Sequence, residues 1–406
     1  MKSDSTIKFL SIIIFLLLVN VYANAQSLPT VTSVTSPTSR DLYSVYFSSS
    51  INGVAVGDSV VLHTTDGGTT WAAVTPPVNG RLEGVHFPTA TTGYIVGIYS
   101  DGSSQTIVLK TTDGGKSWTS VAADTLAENL HAVFFTSADT GFAAGEGVVL
   151  KTVNGGTFWS YSVNDNYSYR SVFFPGKDTG YAAGDEFIRL PDLGTKKDSL
   201  TDINGTTGYD QSGPILSIYY PSPETGYICG ASGQLYRVTK AGSVLTSLSF
   251  NTVNLNSIFF MNTTQGFTSA KDVYYTSNGG TSWSSITNPT GDSLRSINFA
   301  KGSNIGYAVG DAGAIVKIDA TTSVTGVSQA TSLAGLSVYP NPSDGSFTVQ
   351  AAGSYQVTVM NSLGQQLYTQ SANDALAITL PNAVSGIYYV QVSSVGSNSV
   401  EKVIIK

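Results

Sequence analysis

The chain has 406 residues, 41 % of them apolar and only 12 % charged, with a formal net charge of −7. The negative balance leaves no basic field to neutralise phosphates, which excludes nucleic acid as a partner. A single cysteine, Cys229, rules out an intrachain disulfide, and His63, His86 and His131 stand in no zinc-binding spacing, so neither a metal nor a cofactor is expected.

The first element is a leader. Lys2 and Lys8 accompany the apolar run Phe9 to Val19, and Ala23 and Ala25 stand in an A-x-A arrangement before Gln26. This is the pattern of a secretory signal peptide over residues 1–25, cleaved between Ala25 and Gln26. The run of 11 residues falls short of the ~20 a spanning helix needs. The mature chain is expected to leave through the periplasm with no transmembrane segment.

From about Leu42 to Ile318 three patterns recur in fixed order. A glycine-aromatic segment such as TGYAAG has its first glycine at 53, 93, 141, 180, 226, 266 and 306, at intervals of 40, 48, 39, 46, 40 and 40 residues. Upstream of each stands an opening pattern: LYSVYF from Leu42, LEGVHF from Leu82, LHAVFF from Leu130, YRSVFF from Tyr169, ILSIYY from Ile215, LNSIFF from Leu255 and LRSINF from Leu294. A third apolar piece follows, and in four copies an octapeptide closes the repeat: TTDGGTTW, TTDGGKSW, TVNGGTFW and TSNGGTSW. Four short β-rich runs in about 40 residues, repeated in series, mark the blade of a β-propeller. Seven copies predict an all-β, seven-bladed propeller over 26–322. The segment Pro29–Ser36 reads as a strand, expected to pair with the last copy, which lacks its own fourth strand, and so to remove an exposed edge.

Within the octapeptide, Asp66-Gly67, Asp113-Gly114, Asn154-Gly155 and Asn278-Gly279 read as two-residue hairpin turns with positive φ at both positions. Trp71, Trp118, Trp159 and Trp283 are the only four tryptophans, all at one repeat position, where they are expected to pack between blades. Asparagine in two copies cannot act as a general acid or base. The motif therefore specifies shape, and no catalytic residue is assigned. Residues 323–334, within a stretch rich in Ser, Thr, Ala and Gly, read as a linker. Residues 335–406 alternate apolar positions with turn residues, predicting a small C-terminal Ig-like β-sandwich.

TTDGGTTW resembles the Asp-box, or bacterial neuraminidase repeat, and the full repeat is similar to the propeller family of the photosystem II stability and assembly factors. The tail resembles the type A C-terminal sorting domain of the type IX secretion system. The matching residues are Tyr339-Pro340-Asn341-Pro342, Gly345, Asn361 with Gly364, Gly386-Ile387-Tyr388 and Lys402-Val403-Ile404. That resemblance implies the type IX secretion machinery as a partner. It also implies removal of the tail, and a mature protein secreted or held at the outer surface of a Bacteroidetes-type cell.

Function is then expected in what differs between copies. The second residue of the opening pattern varies: Tyr43, Glu83, His131, Arg170, Leu216, Asn256 and Arg295. If the opening strand lines a central channel, these form a mostly polar ring at one mouth and are the candidate ligand site. This favours a binding module for an unknown polymer, glycan or protein. A sialidase-like hydrolase is one alternative, and it would need carboxylates about 5–10 Å apart, whereas Glu83 is the only ring carboxylate. An envelope assembly factor, by analogy with the propeller family, is the other. Cys229 fills a small apolar slot and is expected to be an inert core thiol.

Overall fold

Each repeat folds as an antiparallel meander whose first strand is the opening pattern. In the computed structural model the described residues are 28–100, 106–121, 128–176, 178–200, 213–242, 244–248, 250–321, 336–361, 366–381, 383–394 and 397–406. The leader with its cleavage site at Ala25 and Gln26, the 323–334 segment and Gly364 lie outside them.

In the first repeat, strands Leu42–Phe47, Gly53–Gly57, Val60–Thr64 and Ala72–Val74 pair in chain order. The described residues of Leu28–Thr322 hold five such four-stranded sheets and one of six strands, in which two meanders share the long strand Ser160–Phe173. These seven meanders are called blades 1 to 7. Blade 7 consists of Leu294–Phe299, Ile305–Gly310 and Ile315–Asp319 and takes its outer strand, Thr30–Ser33, from the other end of the chain, with Thr30 opposite Asp319. Backbone N–H groups of blade 1 then donate to side chains of blade 7: Val45 to Ser296 Oγ at 3.2 Å and Phe47 to Asn298 Oδ1 at 2.9 Å. The ring is closed. Blade 4 has the single helical turn Pro191–Gly194 where blades 1, 2, 3 and 6 carry the octapeptide.

The apolar core is divided into layers between neighbouring blades. The second strand of each blade is buried on both faces, so alternate residues serve different layers. Val54 and Val56 face the layer shared with blade 2, and Ala55 faces the one shared with blade 7.

The octapeptide builds a turn, but a different one from that expected. Positive φ falls on Gly67 (72°) and Gly68 (85°), not on Asp66. Two glycines take that backbone at no steric cost, which frees the Asp66 carboxylate to fold back over the turn. It accepts from Thr70 N at 2.9 Å, Thr70 Oγ1 at 2.6 Å and Thr64 Oγ1 at 2.8 Å. The Thr64 hydroxyl oxygen also accepts from Gly68 N at 2.9 Å. Asp113 repeats this set with Thr111 and Ser117. Asn154 and Asn278 keep the two bonds to the amide Oδ1, from the threonine hydroxyl and from the N–H four residues on; Phe158 offers no hydroxyl, and Asn278 Nδ2 donates to Ser282 Oγ. Each tryptophan packs edge-on against the phenylalanine that ends the opening pattern of its blade: Trp71 on Phe47, Trp118 on Phe87, Trp159 on Phe135 and Trp283 on Phe260, at 5.8, 5.9, 6.0 and 6.1 Å. Trp71 also meets Tyr307 of blade 7.

The described residues of the C-terminal unit form two sheets. Ser337–Tyr339, Ser346–Gln350 and Leu376–Thr379 form one, and Gln366–Ala372, Tyr355–Asn361, Gly386–Ser394 and Ser397–Ile405 form the other. Phe347 and Val349 from the first share a core with Val357 and Val390 from the second. Between Pro340 and Pro342, the Asn341 amide donates to Lys402 O at 2.6 Å and accepts from Ile404 N at 3.0 Å, which ties the motif to the last strand. The Tyr388 hydroxyl donates to Val384 O.

Two predictions follow from these turns and layers. Trp118→Ala is expected to cost about 3–5 kcal/mol of stability, measured by denaturant unfolding, whereas Asp113→Asn is expected to be close to neutral. The Thr70 and Thr64 hydrogen bonds hold Asp66 at about 2, and at Asp113 those from Ser117 and Thr111 outweigh the upward push of burial to give about 2. A depressed folded pKa stabilises above the unfolded value of 3.8 and is lost as pH falls towards 2. The thermal midpoint of the wild type should therefore fall more steeply across that window than that of an Asp66→Asn/Asp113→Asn variant.

Candidate ligand site

The variable second residue owes its position to the backbone. Leu42 pairs with Gly57 and Ser44 with Val56, so Tyr43 has no partner opposite it. The same register shift isolates Glu83, His131, Arg170, Leu216 and Arg295. Such a bulge re-aims a side chain. It also brings the strands so close that a Cβ on Gly57 would lie 1.9 Å from the Asp41 carbonyl oxygen, which requires glycine there. In blade 6, Asn256 stands just ahead of its strand, Ser257–Phe260, and donates its N–H to Ser269 O.

Most of these mouth side chains are engaged with one another. Tyr43 lies between the guanidinium groups of Arg81 at 4.4 Å and Arg295 at 5.0 Å and donates to Asp58 Oδ2 at 3.1 Å. Burial pushes its phenol up to about 12, with Arg81 opposing and Asp58 adding to the shift. Arg81 Nε sits 3.1 Å from Glu83 Oε1, and Glu83 Oε2 is 2.6 Å from His131 Nδ1. Burial alone would raise the Glu83 carboxyl; the His131 hydrogen bond, with the charges of His131, Arg81 and Arg170, outweighs it and holds Glu83 below the usual range. Arg295 pairs with Asp311 and Asp41. Asn256 Nδ2 donates to Leu294 O and Ser293 Oγ. Leu216 is half-buried, and Arg170 is exposed with no ion pair among the described residues. Arg81, just ahead of the opening pattern of blade 2, is a mouth residue that the repeat alignment did not single out.

Beyond the bulge the opening strand crosses the channel in two further layers. At its third residue a serine hydroxyl accepts from the backbone of the next blade: Ser44 from Val85 N, Ser171 from Ile218 N, Ser217 from Ile258 N, Ser257 from Ile297 N and Ser296 from Val45 N, at 3.2–3.3 Å. At its fifth residue stands an arc of rings. Tyr46, His86, Phe134, Phe173, Tyr219 and Phe259 follow one another at centroid spacings of 4.9, 4.6, 5.0, 5.3 and 4.6 Å. Asn298 takes the position in blade 7.

This arc lines a cavity of about 950 Å³, walled also by Ser48, Ser49, Met261, Asn262 and Lys301 to Asn304. No carboxylate lines it among the described residues, and Lys301 is its one charged side chain. Burial pushes the His86 imidazole down to about 3, so it is neutral. Its Nδ1 accepts from Phe135 N at 3.3 Å, which leaves the ring proton on Nε2. Burial likewise raises the Tyr219 phenol to about 12, with the Tyr46 phenol adding to the shift.

Comparisons with known proteins agree with this architecture. Residues 23–168 match the family described as Photosynthesis system II assembly factor YCF48, and residues 337–406 match the Secretion system C-terminal sorting domain. No curated protein sequence matches the chain. Among solved structures, "YCF48 bound to D1 peptide" is 17 % identical with a TM-score of 0.57, covering 72 % of this chain and 94 % of that one. YCF48 from Cyanidioschyzon merolae is 19 % identical with a TM-score of 0.58, covering 71 % and 98 %. The GH74 xyloglucanase from Xanthomonas campestris is 12 % identical with a TM-score of 0.56, covering 72 % of this chain and 54 % of that one. At such identities the likeness establishes the propeller fold. The class is thus an all-β protein with a β-propeller. Its sorting domain marks it for export by the type IX secretion system, to the cell surface or outside the cell. No helix among the described residues is long and apolar enough to cross a membrane.

Cys229 sits where expected, buried in the layer between blades 5 and 6, with its thiol donating to Leu255 O at 3.3 Å. Burial pushes that thiol up to about 12. A thiol-specific reagent at pH 8 should label the protein only after denaturation, and rapid labelling of the native chain would contradict this environment.

Proposed function

We propose that this exported propeller is a recognition module whose ligand seats in the cavity against the aromatic arc. The observation that carries the reading is the contrast between the two ends of the channel. At the mouth most charges are matched by their neighbours. At the other end a cavity of about 950 Å³ presents aromatic faces and a few neutral polar groups, in the size range and chemistry of ligand sites. A hydrolase reading has less support, because two carboxylates flanking a scissile bond are its usual requirement and the cavity offers none among the described residues. Peptide recognition is a second reading, favoured by the neighbour whose structure holds a D1 peptide.

The test is a printed array of peptides and oligosaccharides probed with the full chain, a Phe173→Ala variant and an Arg170→Ala/Arg295→Ala variant, each checked for fold by circular dichroism. Signals lost with Phe173→Ala and kept with the arginine variant are the expected result. The reverse pattern would return the site to the mouth and overturn the proposal.

A further inference from the structure

The aromatic arc is not uniform. In ring order Asn298, Tyr46 and His86 stand together on blades 7, 1 and 2, while Phe134 and Phe173 follow on blades 3 and 4. The first group presents hydrogen-bonding atoms. Asn298 Oδ1 is occupied by Phe47 N–H, which leaves its Nδ2 amide as a donor. With His86 Nδ1 accepting from Phe135, its Nε2–H is the remaining donor. The hydroxyls of Tyr46 and Tyr219 make no hydrogen bond to the described residues. The second group presents apolar ring faces at 5.0 Å spacing. Every one of these groups is uncharged.

That combination discriminates between ligand classes. A purely apolar ligand would cover these donors and leave them unpaired, at a cost in free energy. A cation would find no carboxylate in the lining, and an anion would meet only Lys301 at the exposed rim of a chain whose net charge is −7. A ligand with one flat C–H face and one edge of neutral hydroxyls satisfies both sides. A pyranose ring has that shape, and the cavity has room for more than one.

Building on the cavity assignment above, we infer that the ligand is an uncharged saccharide, stacked on Phe134 and Phe173 and hydrogen-bonded through its hydroxyl edge to Asn298, Tyr46 and His86. Because no ion pair forms, the affinity should be insensitive to ionic strength.

Calorimetric titration of the full chain tests this with three probe sets: neutral trisaccharides (laminaritriose, cellotriose, xylotriose, mannotriose), acidic ones (sialyllactose, trigalacturonate) and tripeptides. The expected result is sub-millimolar binding of at least one neutral trisaccharide, changing less than about twofold between low and high salt. Tyr46→Phe/Tyr219→Phe, which removes only two hydroxyls, should weaken it by about tenfold. Arg170→Ala should leave it unchanged. Tight binding of an acidic sugar or a peptide, weakened by the same tyrosine variant, would overturn the saccharide assignment while keeping the cavity. Neutral-sugar binding indifferent to the tyrosine variant would overturn both. No binding by any neutral probe would overturn the saccharide assignment.

Discussion

No blade of this protein can bury its own apolar surface. Each second strand is buried on both faces, and in blade 1 those faces are apolar and are covered by blades 2 and 7. Stability is therefore a property of the ring, and the ring has to close. Pairing of Thr30–Ser33 with the last blade completes a sheet that would otherwise end one strand short. The serine hydroxyls that accept from the next blade add direction to the non-directional apolar packing. They fix how far each opening strand slides past its neighbour, and so how the channel residues line up in layers.

The same constraint separates positions that must recur from positions free to differ. The glycine pair, the acceptor side chain and the tryptophan of the octapeptide are tied to backbone geometry and to packing within and between blades. Channel-facing residues are less constrained, although the serine layer, Asn298 and His86 each accept a backbone N–H of the next blade. They include the charged network at the mouth and the aromatic arc at the other end. The two ends differ in kind: the mouth holds charges that largely neutralise one another, whereas the cavity is lined mainly by uncharged groups, among them the Tyr46 and Tyr219 hydroxyls, which make no hydrogen bond to the described residues. On the proposed reading, the second arrangement gives an exported protein a surface for holding a ligand from its surroundings.

Much of the architecture is legible in the sequence because it is local and periodic. The opening pattern, the glycine-aromatic segment and the octapeptide each mark one strand or turn, and the PNP and GIY motifs of the tail each sit within one unit. The turn itself was not legible, since Asp-Gly-Gly admits either an Asp-Gly or a Gly-Gly pair at positive φ. Only the hydrogen bonds of Asp66 to Thr64 and Thr70 decide between them. The arc was missed for a related reason. Simple alternation assigns Tyr46 or Phe173 to an apolar core, but the bulge at the second residue shifts the phase by one and turns the fifth residue into the channel. Arg81 was missed because it precedes the repeated pattern and reaches the mouth only through its contact with Tyr43.

The three histidines report on three places: His63 beside Asn52 in the body of blade 1, His86 in the aromatic arc and His131 in the mouth beside Glu83. The most direct test of the account is to follow their imidazole resonances by NMR while titrating the full chain with whichever neutral trisaccharide binds most tightly. The account predicts that the His86 signals move while those of His131 and His63 stay in place. Movement of His131 with a silent His86 would contradict it and place recognition at the charged mouth.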